Sequence, residues 1–261
     1  MVNEIGAGCG QGPDAAAEAA HAGSLQGVTS MDAVASGHAM AGSDRAEPSD
    51  RPGRREHEAR MEIRAGGVLV LLVAAAGAFF AARPSAIFLD RWILDVVGPT
   101  GNAALTGVTA LRYPVVVVVG ACIAAAVAFP RDRFRSLACL IGPPLALATC
   151  ELVAKPLVGR HLGGGLSYPS GSTVGAAALV AAATLAVPPR WRRATIVVGA
   201  AYVLWMGVAV VARQWHYPTD ALAGMAYGVG VVLVADGLAW RAGTALAGRV
   251  SRRGGARSGG G

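Results

Sequence analysis

Three short segments hold most of the polar chemistry in the C-terminal part of the chain. They are Lys155-Pro-Leu-Val-Gly-Arg160-His161, Tyr168-Pro-Ser170-Gly171-Ser172-Thr173 and Arg213-Gln-Trp-His216-Tyr-Pro-Thr-Asp220. Lys155, Arg160 and Arg213 suit a phosphate, the arginines as two-pronged donors and the lysine as a point charge. Ser170, Gly171 and Ser172 follow Pro169 where a helix would begin. The free N–H groups and dipole of such a start bind anions, and Gly171 lets the anion approach closely. A simple N-cap would read the same way. His216 and Asp220 are four residues apart, a spacing that brings side chains together on a helical turn. A carboxylate on one ring nitrogen would hold the tautomer and leave the other nitrogen free to attack. A loop histidine followed by an N-capping aspartate has the same spacing.

Six apolar runs must position these segments. They cover about 65–82, 114–129, 136–154, 171–188, 194–212 and 219–240. Each is roughly 25–30 Å long as a helix, enough to cross a bilayer core. Backbone groups in lipid must bond within their own segment, so the runs are expected to be helices. The expectation is an all-α, integral-membrane six-helix bundle. Only 15% of the 261 residues are charged and 54% are hydrophobic, which excludes an ordinary soluble enzyme and a fully disordered chain.

Charge placement orients the spans. Sixteen of the arginines fall in segments that are cytoplasmic if both termini are, including Arg51, Arg55, Arg131, Arg135, Arg190, Arg192 and Arg249. The opposite segments hold Arg83, Arg91, Arg112, Lys155, Arg160 and Arg213. This is the positive-inside pattern, with N- and C-termini cytoplasmic. It sets the three polar segments together on the outer face. The net charge of +7 then reports topology and anionic lipid contact, with no nucleic-acid partner.

The remaining segments are simpler. Residues 1–60 lack a sustained apolar period and read as a disordered polar tail. Met61 precedes the first apolar run directly, and is expected to be the physiological start. Residues 61–243 form the membrane domain, and 244–261 a disordered basic, Gly-rich tail. Within loop 83–113, Ile87, Phe88, Trp92, Ile93, Val96 and Val97 share one helical face, with Asp90, Arg91 and Asp95 opposite. That is an interfacial helix on the outer leaflet or a connector packed on the bundle. Gly171, Gly175, Gly224 and Gly228 fit close helix contacts. Cys122, Cys139 and Cys150 read as buried apolar residues, with neither metal site nor disulfide framework.

Lys155/Arg160, Pro169-Ser170-Gly171 and Arg213/His216/Asp220, in this order, resemble the type 2 phosphatidic acid phosphatase superfamily. That family includes bacterial undecaprenyl-diphosphate phosphatases and shares its core with vanadium haloperoxidases. The resemblance covers about residues 65–240. It implies six spans, no metal cofactor, and phosphate binding by Lys155, Arg160, Ser170, Gly171, Ser172 and Arg213. It also implies a nucleophilic His216 oriented by Asp220. The chain departs from the pattern in three places. Leu162 and Gly163 stand where the first motif ends in Arg-Pro. Ser172 stands in place of the general-acid histidine. Arg213 lies three residues before His216, where the family has six.

The function this implies is a lipid phosphate or diphosphate phosphatase of a bacterial plasma membrane, with its site facing outward. Its partners would be a lipid phosphate substrate and the surrounding membrane lipids. A serine hydroxyl is a poor acid near neutral pH, and a lost general acid costs about 10²–10⁴-fold. His161 is the leading substitute, ahead of Tyr168 and Tyr217. The alternative function is a family member that binds or transports a lipid phosphate without turning it over.

Overall fold

A computed structural model of the chain describes residues 52–99 and 103–258. Nine α-helices are present among them: α1 (Pro52–Ala82), α2 (Phe88–Val97), α3 (Ala103–Thr109), α4 (Pro114–Ala128), α5 (Arg133–Thr149), α6 (Lys155–Val158), α7 (Gly171–Ala186), α8 (Pro189–Ala212) and α9 (Pro218–Ser258). A 3₁₀ turn, Ala110–Arg112, joins α3 to α4, and a π turn, Cys150–Ala154, joins α5 to α6. One hairpin, β1 (His161–Leu162) with β2 (Gly165–Leu166), pairs His161 with Leu166. Its two-residue loop is Gly163-Gly164, both at positive φ (58° and 86°). That mirror-image turn is the one whose twist matches paired strands, and glycine adopts it without steric cost.

All six apolar runs are helical. Four helical stretches are long and apolar enough to cross a membrane: Gly53–Ala82, Arg133–Val158, Pro189–Ala212 and Pro218–Arg249. A fifth results if Leu105–Arg112 and Pro114–Ala128, bent by 72°, count as one span. Helix α7 has 16 residues and falls short of that length.

The bundle is built with small residues inside and large apolar ones outside. Ala146, Ala178, Ala182 and Ala209 are fully buried, whereas Leu71, Leu157, Val197 and Val198 are about 70% exposed or more. Water would not tolerate that surface, and a hydrocarbon surrounding would. Glycine brings α7 and α9 close together. A Cβ at Gly224 or Gly228 would run into the α7 backbone at Ser170 or Val174. These two glycines seat α9 on α7, in keeping with their spacing.

Helix α1 begins at Pro52, inside the segment expected to be a disordered tail. Arg55 explains this. Its guanidinium donates to Asp236 Oδ2 on α9 at 3.0 Å and to Glu62 at 3.2 Å. Arg135 of α5 reaches the same Asp236 oxygen at 3.3 Å. This buried cluster ties α1, α5 and α9 together at one end of the bundle. Residues 1–51 of the expected tail lie outside the described residues. At the other terminus α9 runs on to Ser258, so residues 244–258 are helical where a disordered tail was expected.

Candidate functional site

The site is assembled at the opposite end from the Arg55–Asp236 cluster. Helix α5 brings Leu147, and the turns that follow it bring Glu151 and Lys155, spaced by four. The π turn there is closed by Lys155 N–H on Cys150 O, five residues back. Pro156, with no N–H, cannot continue the ladder normally. Glu151 and Lys155 pair along this stripe, Nζ lying 2.8 and 2.9 Å from the two carboxylate oxygens. Such π turns are frequent at functional sites. Helix α7 starts opposite, with Ser170 as N-cap and Gly171 as its first residue. The approach is close: a methyl group at Gly171 would collide with Glu151 Oε1 and lie 3.5 Å from Lys155 Nζ.

Between these elements is a polar cavity of about 260 Å³. Arg112, Pro114, Leu147, Glu151, Lys155, Gly171, Ser172 and His216 line it. Lys155, Gly171, Ser172 and His216 were expected at a phosphate site, and one cavity gathers all four. Arg112 and Glu151 were not expected.

His216 is 8% exposed, in the loop before α9. Its Nδ1 lies 2.8 Å from the carbonyl oxygen of Ser167. A carbonyl only accepts, so Nδ1 carries the proton and Nε2 keeps a lone pair. Burial pushes His216 down to about 4 from its ordinary 6.5, with Lys155 and Arg112 adding to the fall and the Ser167 bond opposing it. The ring is therefore neutral near pH 7. Imidazole titration by NMR in micelles is expected to give a midpoint near 4, and one near 6.5 would refute the burial. Between these values the unfolded chain binds a proton that the folded one does not. Stability therefore falls as pH drops from 6.5 towards 4.

The expected His216–Asp220 bond is not formed. Asp220 is fully buried and faces another partner. Its Oδ1 accepts from Arg160 Nη1 at 2.5 Å, and its Oδ2 accepts from the Tyr217 N–H at 3.0 Å. Arg160, also fully buried, spends its other Nη on Asp90 Oδ2 at 2.6 Å. Its Nη1 also donates to Thr219 Oγ1 at 2.9 Å. The guanidinium is sandwiched between Phe80 and Tyr217, at 3.9 and 4.1 Å from the ring centres. Arg160 is thus not aimed at the cavity. Its backbone does reach the site: Arg160 O accepts from Ser167 N–H at 2.8 Å. The Arg160–Asp220 pair accordingly fixes the segment whose Ser167 carbonyl holds His216.

The other expected residues divide similarly. Arg213 caps α8 and donates to Thr106 Oγ1 at 2.5 Å, outside the cavity lining. Ser170 is buried, and its hydroxyl has no hydrogen-bond partner among the described residues. His161, the leading substitute acid, is exposed on the hairpin with Nδ1 2.8 Å from Gly159 O, away from the cavity lining. Tyr168 donates to Val73 O on α1 at 2.7 Å, and burial pushes its hydroxyl well above the usual phenol range. Tyr217 is committed to the Arg160 sandwich.

Asp90 corrects the reading of loop 83–113. The amphipathic pattern sets it on a polar outer face, yet it is fully buried, while Phe88, Trp92 and Val96 are exposed, as are Arg91 and Asp95. The helix turns Asp90 inward to Arg160 and much of its apolar face outward. Arg112 was legible only as one outer cation among six. Its guanidinium stacks on Trp215 at 4.6 Å, directly beside His216 in sequence.

A sequence model of the PAP2 superfamily matches residues 115–243. No curated protein and no solved structure matches the chain. The matched stretch contains Glu151, Lys155, Ser172 and His216, and begins just after Arg112.

Proposed function

We propose that the chain, whose residues 115–243 match the PAP2 superfamily, hydrolyses lipid phosphates or diphosphates through a phosphohistidine at His216. The observation that carries this reading is the neutral, tautomer-fixed His216 opening on a cavity shared with two cations. Nε2 attacks phosphorus. Lys155 and Arg112 neutralise the equatorial oxygens, aided by the N-terminal amides of α7. Water then releases phosphate from the histidine. The bilayer-suited helices support a multi-pass membrane protein, which we place in a bacterial plasma membrane. The arginine distribution favours an outward-facing site, where the lipid headgroup enters and the chain stays in the leaflet. The leading substrates are an isoprenoid diphosphate and phosphatidate.

Arg112 takes the part that the resemblance gave to Arg160 and Arg213. Arg112→Ala is therefore expected to lower kcat/KM by about 10–100-fold, because the transition state then lacks one charge-assisted hydrogen bond. Arg213→Ala should change it by less than about threefold. Equal decreases in both variants would return Arg213 to the site.

A second reading, binding or transport without turnover, is favoured by Ser172, whose hydroxyl replaces an acid. Phosphate release by detergent-purified protein separates the two. Diacyl and isoprenyl phosphates would be offered without added metal. Release above background supports hydrolysis. Saturable binding of the same lipids with no release supports the second reading.

A further inference from the structure

Protonation of the leaving group is unassigned at this site, since residue 172 is a serine and His161, Tyr168 and Tyr217 face elsewhere. Among the described residues, the carboxylate lining the cavity is Glu151. It occupies the space over the first residue of α7, since a methyl at Gly171 would strike Glu151 Oε1. That is next to Ser172, from the opposing helix. The side chain is 42% exposed, so water and a leaving group can reach it. Its neighbour Lys155 is held by both carboxylate oxygens.

We propose that Glu151 is the general acid of the first step and the general base of the second. The proposal rests on the hydrolase reading above. In the first step Nε2 of His216 bonds to phosphorus as the phosphorus–oxygen bond to the lipid breaks. The electron pair of that bond goes to the lipid oxygen. That oxygen takes the proton of Glu151 and leaves as the lipid alcohol, or as the lipid monophosphate when the substrate is a diphosphate. In the second step the Glu151 carboxylate takes a proton from water as the water oxygen bonds to phosphorus. The phosphorus–nitrogen bond breaks and its electron pair returns to Nε2. Phosphate leaves and Glu151 is again protonated.

Glu151 competes with phosphate for Lys155, so its release from the lysine accompanies binding.

Leaving-group dependence tests this. A lipid alkoxide needs a proton as it departs, whereas 4-nitrophenolate does not. Wild type, Glu151→Gln and His216→Ala are assayed on phosphatidate and on 4-nitrophenyl phosphate. In kcat/KM, which reports only the steps up to departure of the leaving group, Glu151→Gln is expected to lose about 10²–10⁴-fold on phosphatidate and less than about tenfold on the nitrophenyl ester. Retained nitrophenyl turnover in the same sample shows that the variant is folded. If it is lost, Glu151→Asp serves instead and should show an intermediate loss on phosphatidate alone. Equal losses on both substrates, or no loss on phosphatidate, overturn the Glu151 role while leaving the His216 chemistry intact. Turnover that survives His216→Ala overturns the phosphohistidine reading and the Glu151 proposal with it.

Discussion

Phosphate release is expected to fall by about 10⁴-fold or more when His216 becomes glutamine, with the fold unchanged. The size follows from the role. Removing a covalent nucleophile eliminates the pathway, and what remains is the positional and electrostatic help of the other groups. Glutamine is chosen because its amide can still donate to Ser167 O, so the loop before α9 keeps its anchor. Lys155 and Arg112 should still bind the phosphate, so the variant should hold substrate with little change in affinity. Rapid acid-free quenching of wild type with ³²P-labelled substrate should trap an acid-labile, alkali-stable phosphoprotein. The glutamine variant should trap none. Full turnover by that variant would end the covalent mechanism.

Arg160→Met should cost about 3–5 kcal/mol of stability, the largest expected effect outside the cavity. Two fully buried carboxylates, Asp90 and Asp220, face this one guanidinium. Without it they remain buried and repel each other, which is the situation in which breaking a buried ion pair is most damaging. The loss should be partly recovered by adding Asp90→Asn, which removes one of the stranded charges. A double-mutant cycle on unfolding in mixed micelles measures this, and an additive result would deny the coupling. A phosphate ligand would behave oppositely. Its loss would raise KM and leave unfolding unchanged.

These two residues mark where sequence reading succeeded and where it stopped. Lys155, Gly171, Ser172 and His216 were legible because the expected alternation of spans puts their segments on one side, and helix starts and loop histidines have local signatures. Arg160 was placed on that side correctly but was given the wrong partner. Its acids lie 70 and 60 residues away in sequence, and no local pattern says that Asp90 points inward. Spacing put Asp220 beside His216. In the fold the stronger attraction, cation to carboxylate in a buried place, takes Asp220 away and leaves a backbone carbonyl in its stead. Glu151 escaped notice for a related reason, because a Glu–Lys pair four apart reads as an ordinary helix-surface pair. The helical segment 52–60 was hidden too, since its composition is polar and its anchor, Asp236, is 181 residues from Arg55.

Asp220 and Asp236 lie on the same helix, and each is sealed into a different knot of arginine at opposite ends of the bundle. Sixteen residues of α9 separate them, about 24 Å of rise. That stretch acts as a gauge rod. Adding or deleting one residue within it would swing one acid roughly 100° around the axis and out of reach of its arginine. Point substitutions along the rod can drift freely so long as they stay small against α7, but its length is locked. Relatives that preserve both knots should therefore vary in α9 by exchange of residues and not by insertion.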